Sequence, residues 1–263
     1  MINLPQNRAA DITATLNALI DESDRFRDWD SHQIRTLVRE LEKLQKVDAK
    51  AAFVLFGSLA AICGKVDDVF DSFRKALRLP GEPDAEHEFW TSLGNIGLHS
   101  KSIEYGNGLL EPKRGFFPTI WRKAVSRGQL REVWNRLPEA MKTYPDLSKE
   151  DFSTLEHSIA VMEEHDLSDE DIISVLDLMG EIQRAQGIMF SGRLVSTLQV
   201  VRPPDDAPYL YFTIQLDASV SEIHAMNREL ARLVVEKCRD GAFPQGVVAS
   251  FAKAETKDLR AAA

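Results

Sequence analysis

From residue 7 to residue 187 apolar side chains recur at intervals of three and four while Gly and Pro stay sparse, and beyond Gly187 the interval falls to two. The first spacing lines up apolar groups along one side of a helix; the second puts them on one face of a strand. The change predicts an α+β chain: an all-α array of helical hairpins over 1–187, followed by a small β-β-α-β unit over 188–263. In the second part, 193–201 is rich in β-branched residues, and Pro203, Pro204, Asp205, Asp206 and Pro208 make a turn. Residues 209–216 then alternate, with Leu210, Phe212, Ile214 and Leu216 on one side and Tyr209, Tyr211, Thr213 and Gln215 on the other. Ser219 and Glu222 form a capping box. They open a helix whose stripe is Ile223, Met226, Leu230, Leu233 and Val234. Gly241, Pro244 and Gly246 end it, and 247–252 reads as a third strand. One helix on three strands is thin, so this unit is expected to pack on the helices or to form a homodimer through a free strand edge.

A chain of 263 residues that is 44% hydrophobic and 28% charged has the composition of a folded protein. At this size folding buries about 70–75% of the unfolded surface, enough to need no metal or disulfide. No apolar run approaches the ~20 residues of a membrane span, and residues 1–5 do not read as a secretion signal. Cys63 and Cys238 lie far apart in apolar helical contexts, so both are expected to be buried free thiols in the cytoplasm.

The net charge of −9 is unevenly spread. Residues 113–142 carry eight Lys/Arg and two Asp/Glu, a local +6; residues 146–181 carry twelve Asp/Glu and one Lys, a local −11. A general nucleic-acid binder is basic overall, so that role is not expected. Part of the acidity is capping chemistry. Residues 146–152 and 166–172 are two copies of one motif, each with a Ser cap (Ser148, Ser168) and an acid three positions on (Asp151, Asp171). Further upstream, Asp30 with Gln33 reads as another box, flanked by a staple of Trp29 and Ile34. The same charged stretches offer a candidate surface for a partner: Asp169, Glu170 and Asp171 on the acidic side, Arg122 and Arg127 on the basic side. The alternative is charge complementarity between neighbouring hairpins.

Residues 50–83 carry a more specific pattern. Phe53, Phe56, Gly57 and Ala60 fall on one helix, Gly64 in a turn, Val69, Phe73 and Ala76 on the next helix, and Pro80 beyond it. Trp90, Leu93, Gly94 and Gly97, then Gly106 and Leu110, follow loosely, and Trp121, Ala124, Gly128 and Trp134 make a compressed third pair. Over 50–142 this resembles the tetratricopeptide repeat. The resemblance implies a stack of helix hairpins that holds a protein or peptide on its concave side.

No catalytic, cofactor or metal set is expected. His87 and Glu88 begin like a zinc-protease helix, but Thr91 stands where the second histidine belongs. His157 and His165 sit two helical turns apart, too far for one ion. Gly106-Asn107-Gly108 lacks the preceding strand of a phosphate loop. The sequence thus points to a non-enzymatic interaction or adaptor protein. One alternative is a cytoplasmic immunity or antitoxin protein that turns 146–181 toward a basic toxin. Another is a small-molecule sensor or enzyme with a site at the domain junction, lined by Tyr209, Tyr211 and Gln215.

Overall fold

The computed structural model describes residues 5–81, 84–106, 108–148, 152–189, 195–239 and 243–254. It is α+β, with eleven α-helices and a three-stranded sheet near the C-terminal end among the described residues. No helix among them is long and apolar enough to cross a membrane.

The chain forms two compact units: Met1–Gly106 with Gln183–Arg193, and Asn107–Ile182 with Leu194–Ala263. The expected division at 187/188 therefore marks a change from helix to strand, not a division of the core. The reason lies in the second unit, where the sheet shares its core with the helices that precede it.

The first unit contains α1 (Pro5–Glu22), α2 (His32–Gln45), α3 (Ala49–Ile62), α4 (Val66–Leu77), α5 (Ala85–Asn95) and α6 (His99–Gly106). Helix α3 is apolar nearly all round and buries Ala51, Ala52, Val54, Leu55, Gly57 and Leu59 through Ile62. A helix without a polar side must lie inside, and α3 packs against α1, α2, α4 and α5. Two glycines set the closest approaches. A Cβ on Gly57 would lie 2.4 Å from the Phe73 ring of α4, and one on Gly106 would lie 2.2 Å from Trp90 of α5. Phe73 stacks on Phe89 at 4.8 Å, and Phe89 meets Tyr105 at 4.5 Å. The α2 cap is Ser31, not Asp30: its hydroxyl accepts from Ile34 N–H at 3.4 Å.

The second unit contains a 3-10 turn (Pro112–Arg114), α7 (Phe117–Ser126), α8 (Leu130–Thr143), α9 (Ser153–Glu164), most of α10 (Asp169–Ala185), β1 (Val195–Val201), β2 (Tyr209–Leu216), α11 (Val220–Arg239) and β3 (Val247–Lys253). The sheet order is β1-β2-β3, antiparallel then parallel, with α11 as the crossover from β2 to β3. Strand β1 lies on α7 and α9, β2 on α9, and α11 on β3. Leu210, Phe212, Ile214 and Leu216 are buried as their alternation requires, and so is Thr213 on the other side. The Ser219–Glu222 box forms, at 2.8 and 3.2 Å. On α11, Asn227 donates to Phe251 O and accepts from Phe251 N–H, both at 2.8 Å. That N–H faces away from β2, so Asn227 occupies the outer edge of β3 where a further strand would bond.

Five helices end on the same six-residue cap, in which the N–H two positions past the last turn returns to an earlier carbonyl. Lys65 donates to Ala60 O, Leu98 to Leu93 O, Gln129 to Ala124 O, Leu167 to Met162 O and Ile188 to Gln183 O, at 2.8–3.0 Å. The left-handed position is Gly64, Gly97, Gly128 and Gly187 in four of them, and Asp166 at φ 52° in the fifth. Gly97 thus belongs to the turn that follows α5 and not to a helix with Trp90, Leu93 and Gly94.

Candidate interaction groove

In the first unit α1, α3 and α5 enclose a groove of about 310 Å³. Its apolar surface comes from Leu16 and Ile20 of α1 and from Val54, Leu55, Ala61 and Ile62 of α3. Its polar surface comes from Thr13 and Asn17 of α1, Ser58 of α3, and Glu88, Thr91, Ser92 and Asn95 of α5. Both follow from helical spacing: Thr13, Leu16, Asn17 and Ile20 share one side of α1, and Glu88, Thr91, Ser92 and Asn95 share one side of α5.

The chain itself supplies one more part of the lining, Met189. After α10 the backbone turns at Gly187, φ 65°, and becomes extended. Ile188 bridges Arg25 antiparallel, Phe26 N–H donates to Gly187 O at 2.7 Å, and Met189 N–H donates to Asp24 O at 2.8 Å. Met189 is 1% exposed and belongs to the same core cluster as Leu16 and Leu55. Arg184 fixes the preceding helical turn by donating to Gly97 O at 2.6 Å and Ile96 O at 3.2 Å.

The five residues proposed from the sequence as a partner surface differ in their exposure and in what they bond. Asp169 is half-buried, and its carboxylate accepts from the N–H groups of Arg131 (2.8 Å) and Glu132 (3.0 Å). These are the second and third residues of α8, whose own cap residue Gln129 makes no side-chain capping bond. Asp169 therefore caps a different helix from its own. Burial raises its pKa above the usual carboxylate value, against the opposing pull of the two N–H bonds. Asp171 closes the expected box with Ser168, accepting from its N–H at 2.9 Å and its hydroxyl at 2.7 Å. Glu170 is exposed. Arg122 is exposed, with its guanidinium 4.8 Å from the centre of the Trp121 ring. Arg127 is 6% exposed, so it is not a surface cation; burial lowers its pKa. The +6 and −11 stretches do meet, but through main-chain capping: Arg131 also donates from Nε to Leu167 O at 3.0 Å. In the first copy of the duplicated motif, residues 149–151 lie outside the described residues, and α9 begins at Ser153.

His165 holds the sheet to the end of α9. Its Nε2 lies 2.7 Å from Pro208 O and, since a carbonyl only accepts, carries the proton. Its ring leaves no room for a Cβ on Gly246, which would sit 2.5 Å away. Tyr211 and Ser250 share a hydroxyl–hydroxyl bond of 2.7 Å. Among the described residues no three His, Cys, Asp or Glu side chains gather as a metal set. Cys63 is buried and its thiol is pushed up to about 12 by burial, whereas Cys238, expected to be buried, is exposed. The apolar stripe of α11 is buried only at Ile223, Met226 and Leu230, and Cys238 lies beyond it.

No protein-family model, curated protein or solved structure matches this chain.

Proposed function

We propose that this is a non-enzymatic protein–protein interaction protein that holds a short peptide of its partner in the α1/α3/α5 groove. The observation that carries this is the lining: apolar faces of α1 and α3 beside the exposed amide of Asn17. Apolar surface takes a side chain, while amides bond the peptide groups on either side of it. The tetratricopeptide-like spacing over 50–142 supports the same use of a helical stack, and a reduced, exposed Cys238 suits a protein of the cytoplasm.

Peptides selected from a random phage library against the intact chain test the proposal. Asn17→Trp places a bulky ring on an exposed wall of the groove and is expected to weaken the selected peptides at least tenfold while leaving the thermal midpoint unchanged. Equal binding by wild type and Asn17→Trp would remove the groove from the interaction.

A further inference from the structure

We infer that the groove selects an extended peptide in which a cationic side chain stands beside a large apolar one; this rests on the interaction role proposed above. Of the described residues that line the groove, Glu88 alone is charged. It projects from the α5 wall with 41% of its side chain exposed, and His87 Nδ1 lies 3.6 Å from its Oε1. The apolar part of the same lining includes the half-buried Ile20 and the more buried Leu55. A lone anion at the edge of an apolar, partly enclosed surface acts in a lower dielectric than bulk water. It favours Lys, Arg or a free amino terminus over Asp or Glu, which would be repelled and desolvated.

Size sets the length of the ligand. At about 310 Å³ the groove is at the small end of ligand sites. It takes a few residues of an extended chain, not a helix or a folded surface. The chain's own 187–189 segment pairs as extended backbone with residues 24–26, beside the groove and not in it. Gly187 and Met189 bond residues 24–26 through their main chain, and the Met189 side chain alone reaches the groove.

The test uses the intact chain and three fluorescein-labelled hexapeptide pools, alike except for a fixed central Lys-Leu, Ser-Leu or Glu-Leu pair. Fluorescence anisotropy is expected to rank them Lys-Leu, Ser-Leu, Glu-Leu, with about fivefold between the first two, equivalent to about 1 kcal/mol. The gap should shrink in added salt. Glu88→Gln should bring Lys-Leu to the level of Ser-Leu without changing Ser-Leu binding, and Glu88→Lys should reverse the ranking. If all three pools bind wild type equally, or the ranking persists in Glu88→Gln, the charge selection is wrong and the groove remains a peptide site. If no pool binds, the selection and the interaction role fall together.

Discussion

Removing the Asp169 carboxylate should loosen α8 although the residue lies outside that helix. Asp169→Ala leaves two N–H groups, of Arg131 and Glu132, without the acceptor that now stands 2.8 and 3.0 Å away. A lost helix cap costs roughly 0.5–2 kcal/mol, and an unsatisfied buried N–H about 1–3. Relief of the carboxylate's own burial offsets part of this, so the net expectation is about 2 kcal/mol. For a chain of this size that is roughly a 4–8 °C fall in Tm. Urea unfolding followed by tryptophan fluorescence reads it, because Trp121 and Trp134 lie on α7 and α8. Glu170→Gln is the control and should stay within about 0.5 kcal/mol, as exposed positions do. The pH dependence adds a check of sign. Since burial raises the Asp169 pKa above its unfolded value, the folded chain holds that proton more tightly. Wild type should therefore gain stability relative to Asp169→Asn as pH falls through the raised value toward 3.8. A cap governed by its N–H bonds alone would show the opposite trend. Asp169→Ala within about 0.3 kcal/mol of wild type, or no more harmful than Glu170→Gln, would refute the capping argument.

Three other outcomes are expected. Asp166→Gly relieves the left-handed non-glycine position and should stabilise by about 0.5–1 kcal/mol, read as a higher urea midpoint; a lower midpoint would assign the Asp166 side chain a role of its own. Asn227→Ala frees both main-chain groups of Phe251 at the edge of β3, and should cost about 1–2 kcal/mol and produce concentration-dependent association in sedimentation velocity; a variant that stays as wild type at all concentrations counts against the edge role. Ellman's reagent should titrate one thiol, Cys238, in the folded chain and Cys63 only after denaturant; reaction of both at once would contradict the burial of Cys63.

Much of this fold is legible where the cause is local. The Ser168–Asp171 and Ser219–Glu222 boxes, the β2 alternation and the left-handed turn at Gly64 each follow from residues within a few positions of one another. The turn glycines Gly64, Gly97 and Gly128 lie 33 and 31 residues apart, whereas Gly57 and Gly94 lie inside helices. Helix-interior glycines answer to a neighbouring ring, as Gly57 does to Phe73, and need not keep step with the hairpins. What stays hidden is set by partners far along the chain. Asp169 looks like an exposed first-turn acid until α8 is seen 38 residues earlier taking its carboxylate. Arg127 carries the label of a surface residue but falls at a hairpin turn that the core covers. The groove combines three helices separated by dozens of residues, so no run of sequence contains it.

Met189 changes what counts as a piece of this protein. A chain cut at residue 187, where the helical pattern stops, keeps every helix of the first unit but loses the side chain that its core and its groove share. Such a fragment would lack a buried side chain that packs with residues of α1, α2 and α3. Weak peptide binding by it would report a missing wall, not a missing function. The shortest faithful version of the first unit runs on through the segment that pairs with Asp24 and Phe26.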